Sequence, residues 1–162
     1  MKPTDPDRLL SIYLNDHLAG ATVGVELARR AAGSNRGDER FGPALARISA
    51  EIEADRATLE AAMEALEIPR DRLKPAVAWV AERLGRLKPN GQIRGYSPLS
   101  RVIELEGLYI GIGGKARLWK ALDATVAPRL RGLDLAALGE RADRQRTEVE
   151  ALQEAAAKIA FA

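Results

Sequence analysis

Four long segments of this chain repeat apolar residues at three- and four-residue intervals, and that spacing commits the chain to helices with one buried stripe each. The first segment opens at TDPDRLL, where Asp5 can cap, Pro6 suits the first helical position and Asp7 favours the positive end of the helix dipole. It runs to about Ala32 and stops in the polar, glycine-containing stretch GSNRGDERFG. The second starts near Pro43 and continues to about Leu66. The third begins at SPLSR, with Ser97 as cap and Pro98 just inside, and ends near Leu122. The fourth follows RGLD, with Asp134 as cap, and extends almost to the last residue. No strand-like alternation persists anywhere, and there is no internal repeat.

About 30 residues separate the second and third helices, far more than a hairpin requires. Within them PAVAWVAERLGRLK reads as a short extra helix, with Val77, Val80, Leu84 and Leu87 on one stripe, and KPNGQIRGY as an extended return. Two helical hairpins joined by such a crossover follow the plan of a ferritin-like four-helix bundle. The expected fold is therefore all-α, a single bundle domain over residues 1–162. Aromatic residues make up only 4% of the chain, so Leu, Ile, Val and Ala must build the core. That palette suits helices better than sheets.

Several function classes recede on composition. The net charge of +2 is too small to mark a nucleic-acid or anionic-membrane surface. Arg70, Arg72, Lys74, Arg83, Arg86, Lys88 and Arg94 thicken the crossover, but Asp71 and Glu82 intersperse them, as on a solvated mixed face. There is no cysteine, hence no disulfide, thiolate nucleophile or thiolate-bound zinc or iron–sulfur centre. The N-terminus lacks the apolar core of a signal peptide. The most apolar stretch, VIELEGLYIGIGGKARLW, is broken by Glu104, Glu106 and Lys115. These features lead to the expectation of a cytoplasmic protein.

The inner stripes carry polar residues. Helix one presents Leu10, Leu14, Ala21, Val25 and Ala28 inward, with His17, the only histidine, among them. Gly20 and Gly24 flank that stripe and would let another backbone approach closely. Helix two presents Ile48, Ile52, Leu59, Met63 and Leu66, with Asp55 in the middle and Glu51 at the margin. Helix three presents Val102, Leu105, Ile112, Ala116 and Trp119, with Tyr109 among them, and helix four presents Leu138, Ala142, Val149, Leu152, Ala156 and Ile159, interrupted by Gln145. A buried imidazole or carboxylate is costly unless paired. The expectation is a buried polar layer of His17, Asp55, Tyr109 and Gln145, in which His17 pairs with Asp55 across the bundle.

That layer supports several chemistries. A single iron, manganese or zinc ion could take His17 and Asp55 with help from Glu51 or Glu106. A full di-iron centre is not expected, because no Glu-x-x-His occurs and one histidine cannot supply two. General acid–base catalysis by His17, oriented by Asp55, would need a substrate pocket that the sequence does not announce. The four glycines of ELEGLYIGIGGK fit neither a dinucleotide nor a Walker pattern, and close packing is the expected reason for them. Helix three is also apolar through Leu99, Ile103 and Ile110, a side for the crossover helix (Trp79, Val80) or a second subunit to cover.

The segments LNDHLAGATVGVELARR, EIEADRATLEAAMEAL, GRLKPNGQIRGYSPLSRVIELEGL and GKARLWKAL together resemble a group of small, uncharacterised bacterial proteins of ferritin-like helical fold. The resemblance spans nearly the whole chain and rests on the NDHLAG and YSPLSR-x-x-ELE signatures. It implies a four-helix fold and no particular activity. The expected role is a non-catalytic helical scaffold or interaction protein with no bound cofactor, forming a homo-oligomer, a dimer by preference, without nucleic acid or membrane. The alternatives are a metal-binding protein or oxidoreductase with a reduced site, and a small-ligand-binding bundle.

Overall fold

The computed structural model of the protein describes residues 5–71 and 96–162. Among them are four long helices: α1 (Pro6–Ser34), α2 (Gly42–Ala65), α3 (Pro98–Val126) and α4 (Leu135–Phe161), with a short 3₁₀ turn (Ala127–Arg129) after α3. The stretch expected as a short crossover helix, with Trp79 and Val80, and the basic residues from Arg72 to Arg94 lie outside the described residues.

Three of the helix starts follow from their capping residues. Asp5 accepts a hydrogen bond from the Asp7 N–H (3.1 Å), Ser97 from Ser100 (3.1 Å) and Asp134 from Ala137 (2.9 Å), so each satisfies a donor that the first helical turn leaves free. The second helix begins differently. Asp38, inside the turn, accepts from the N–H groups of Arg40 and Phe41, and Gly42 donates to the Asp38 carbonyl (2.8 Å). A Cβ on Gly42 would stand 2.7 Å from the Asn35 carbonyl oxygen, so this tight turn requires glycine. At its far end α2 closes with Glu67 in the left-handed region (φ 58°), while Ile68 N–H reaches back to Met63 (2.9 Å).

Side-chain contacts give the helix order and directions. Arg47–Glu148, Glu51–Gln145 and Asp55–Arg141 link α2 to α4 with one number rising as the other falls, so these helices are antiparallel. By the same test α1 runs antiparallel to α2 (Arg29–Glu53, Asn15–Pro69) and to α3 (Arg30–Glu104, Leu27 against Gly107). The pairing of α3 with α4 is antiparallel too (Glu106–Gln153, Lys120–Asp143). The ring therefore reads α1–α2–α4–α3, and α2 and α3 are parallel across the diagonal. The chain must return the length of the bundle between them, roughly 36 Å for a 24-residue helix. This is why the connection is long.

The core is contiguous along the axis, with Leu14, Leu45, Ile48, Leu59, Met63, Leu105, Trp119 and Val149 at 2% exposure or less. The apolar inner stripes expected on α2 (Ile48 to Leu66) and α3 (Val102 to Trp119) are buried, apart from Tyr109, which is half-buried. On α4 Ala142, Val149 and Ala156 are buried, Leu138 and Leu152 are half-buried, and Ile159 is 49% exposed. No described helix is long and apolar enough to cross a membrane.

Candidate functional site

Asp55 sits at mid-height on α2 and is 3% exposed. A carboxylate in that position demands cations, and it has two: Lys115 of α3 contacts Oδ2 and Arg141 of α4 contacts Oδ1. Lys115 also donates to Gln145 Oε1, and the Gln145 amide donates to Glu51 Oε2 (2.7 Å). The polar layer is thus a chain, Arg141–Asp55–Lys115–Gln145–Glu51, tying three helices together. Desolvation lowers the Lys115 pKa from its ordinary value, against the pull of Asp55.

The expected His17–Asp55 pair does not form. Both residues border the same cavity, but both Asp55 oxygens are taken by cations, and His17 instead sets its ring edge-on to Tyr13 at a centroid distance of 4.5 Å. Among the described residues His17 makes no hydrogen bond. A general base of the histidine–carboxylate type needs a hydrogen-bonded acid to hold its tautomer, and Asp55 is not placed to be one. Tyr109 is likewise only half-buried, with Arg146 over its ring at 5.9 Å, so it is not a member of the chain of contacts.

Nor do the candidate metal ligands form a donor set. Glu106 lies on the exposed side of α3, bonded to Gln153 (3.3 Å), half a turn of the helical wheel away from Lys115. Glu51 reaches the centre only through Gln145. Among the described residues no three His, Asp or Glu side chains converge as a metal site would require.

Between α1, α2 and α3 lies a cleft with a volume of about 420 Å³. On α1 it is bordered by Tyr13, His17, Gly20 and Gly24, on α2 by Ile52, Asp55, Arg56 and Leu59, and on α3 by Leu108, Gly111, Lys115, Leu118 and Trp119. These are stripes at three- and four-residue spacing, so each set faces one direction. Exposed Asp16, Gly20 and Gly111 mark the mouth. The glycines make the space. Among the described residues, a Cβ built on Gly20, Gly24, Gly111 or Gly114 meets nothing within 4 Å, whereas one on Gly107 would stand 2.9 Å from the Leu27 side chain. Of the ELEGLYIGIGGK glycines, Gly107 packs closely and Gly113 would make an ordinary contact with Arg146 (3.9 Å), while Gly111 and Gly114, like Gly20 and Gly24 on α1, face open space among the described residues.

A second buried cluster lies at the α1–α2 turn. Glu104 is 0% exposed and accepts from the Tyr96 hydroxyl (2.8 Å). Arg30 Nε is 2.6 Å from its other oxygen but out of line for a hydrogen bond, so that attraction is chiefly Coulombic. Tyr96 in turn accepts from Asn35 (2.9 Å), and Arg101 holds both Asn35 (2.6 Å) and Asp38 (3.1 Å) while stacking over Phe41 at 4.2 Å. Burial raises the pKa of Glu104 and of Tyr96. This cluster fixes the turn and does not border the cavity.

The sequence carried signals for two of the overlooked residues. Lys115 is three residues from Ile112 and four from Trp119, on the inner stripe by spacing alone. Arg141 is four before Gln145 on α4. Glu104 is three after Arg101 and four before buried Leu108, but nothing in the pattern announced its burial.

No family model, no characterised protein and no solved structure matches the chain.

Burial lowers the His17 pKa from 6.5, and the Asp16 charge opposes the shift. The native state then binds fewer protons than the unfolded chain between its own pKa and 6.5. Stability from this group is complete above 6.5 and is lost as pH falls through the native value. A single-histidine NMR titration is expected to show a midpoint below 6.5, and His17→Gln is expected to remove the associated loss of stability on acidification. Because Asp55 has other partners, His17→Ala is expected to cost only about 1 kcal/mol at pH 8. A midpoint at or above 6.5 would show that the ring is not desolvated.

Proposed function

We propose that the protein binds a small, largely apolar molecule in the cavity between α1, α2 and α3. The observation that carries this reading is the cavity itself, about 420 Å³ with Leu, Ile and aromatic walls and a few polar groups at one level. That volume falls in the range of small-molecule sites, roughly 300–1,000 Å³, and the wall chemistry is of their kind. An apolar wall is a poor host for water, so an apolar guest is the occupant that suits it. A scaffold role would need no such space. Four open glycines on two facing helices are costly as helix residues, and a binding site gives a reason for them.

The test uses a neutral fluorescent probe, N-phenyl-1-naphthylamine, titrated into the full chain. Saturable binding at one site per chain is expected. Gly111→Leu, which places a side chain into open space, is expected to abolish that binding while raising the melting temperature. Absence of saturable binding by the parent protein, or equal binding by a folded Gly111→Leu variant, would count against the reading.

A further inference from the structure

The polar atoms of the cleft that a guest can reach lie on α1. Tyr13 and His17 border the cleft one turn apart, their ring centroids 4.5 Å from each other. Among the described residues neither side chain makes a hydrogen bond, and neither the Tyr13 hydroxyl nor a His17 ring nitrogen is closed off from solvent. The other polar groups of the walls are committed or sealed. Lys115 is held by Asp55 and Gln145, and Arg56 by Glu60 (2.8 Å). The Trp119 indole N–H is buried away from solvent, and Asp16 stands exposed at the mouth.

Leu27 beside Gly107 and Asp7 beside Arg129 (2.9 Å) set the register of α1 on α3. In that register Gly24 comes level with Gly111 and Gly20 with Gly114, while His17 comes level with Leu118. Two pairs of residues without side chains are thus opposed, and a Cβ on any of the four would meet nothing within 4 Å among the described residues. The cleft is polarised along its length, with bare backbone at one end and two rings carrying hydrogen-bonding groups at the other. From His17 to Gly24 is about 10 Å at 1.5 Å per residue, roughly the length of a fused two-ring molecule.

A phenol hydroxyl and a neutral imidazole each offer both a donor and an acceptor. Burial holds the His17 pKa below 6.5, so the ring is uncharged at pH 8. A hydroxyl is the smallest group that answers both kinds of partner. A charged group fits worse, because burying a charge is costly unless it is paired. An anion would find Lys115 and Arg56 already on carboxylates, and an ammonium would find both Asp55 oxygens taken.

We infer that the guest is a neutral apolar alcohol or phenol, its hydroxyl on Tyr13 and His17 and its body between the opposed glycines of α1 and α3. This rests on the small-ligand reading above and adds the chemical class of the guest.

Displacement of N-phenyl-1-naphthylamine from the full chain at pH 8 tests it, with 2-naphthol, naphthalene, 2-naphthoate and 2-naphthylmethylamine as competitors that share one ring system. The naphthol is expected to bind about fivefold more tightly than naphthalene, the effect of one net hydrogen bond, with the anion and the cation weakest. His17→Phe and Tyr13→Phe keep a ring and remove the polar atoms. Each is expected to bring naphthol affinity down to about that of naphthalene while leaving naphthalene affinity within about twofold. Equal binding of naphthol and naphthalene by the parent protein, tighter binding of either charged compound, or an unchanged naphthol preference in both variants overturns the hydroxyl assignment and leaves the small-ligand reading standing. If the naphthyl probe itself does not bind, both fall.

Discussion

Lys115→Met is expected to lower the unfolding free energy by about 3 kcal/mol, the lower end of the cost of breaking a buried ion pair from one side. For a chain of this length that corresponds to a fall of roughly 6–12 °C in melting temperature. The cause is Asp55, which is 3% exposed and cannot turn to water once Lys115 is gone. Arg141 remains on one oxygen, so the loss is not larger. The reverse truncation is milder in kind, because Lys115 and Arg141 retain 15% and 33% side-chain exposure and can reach solvent along their stems. Pairing Lys115→Met with Asp55→Leu removes both charges together and is expected to recover most of the loss. Thermal unfolding of the two variants measures this. A single variant as stable as the parent would mean that the carboxylate does not depend on the ammonium.

Tyr96→Phe is expected to cost about 2 kcal/mol at pH 8, the value of a hydrogen bond to a buried charge, and distinctly less at pH 5. The pH dependence follows from Glu104. Its folded pKa stands above the ordinary 4.5 because of burial, and the Tyr96 O–H pulls it back down. The native state therefore holds this proton better than the unfolded chain does. Stability from the group is present at low pH and declines as pH rises from 4.5 through the native value. Removing the hydroxyl raises that value further, so the deficit grows with pH. Urea unfolding at the two pH values is the measurement, with Glu104→Gln as the variant in which the difference disappears. An equal deficit at both would show that Glu104 does not carry it.

Much of the architecture was legible before any coordinates. Asp5, Ser97 and Asp134 cap helices because short acceptor side chains beside a proline or an apolar run do so locally, without help from the rest of the chain. The buried faces of α2 and α3 follow from a 3.6-residue period that any helix must obey. Asp55 and Gln145 were legible as buried polar residues for the same reason. Their partners were not. A helical wheel gives the direction of a side chain but not its reach, and a long lysine or arginine at the edge of a stripe can fold its ammonium or guanidinium inward. His17 pointed inward as expected, but the pairing that sets Arg29 beside Glu53 and Asn15 beside Pro69 places Asp55 near the level of Leu27, well along α1 from His17.

The glycines divide along the same line. Their spacing marked a face without side chains, which is compatible either with two backbones in contact or with a space between them. Local chemistry cannot choose, because the choice depends on how far apart the packed residues on either side hold α1 and α3. Leu27 seats on Gly107 at one level, while Gly20, Gly24, Gly111 and Gly114 open onto the cavity. Helix positions, caps and inward faces are properties of short windows, set by backbone hydrogen bonding and periodicity. Which charges meet, and whether small residues close an interface or hollow it out, is set by distances between helices, and those exist only once the bundle has formed.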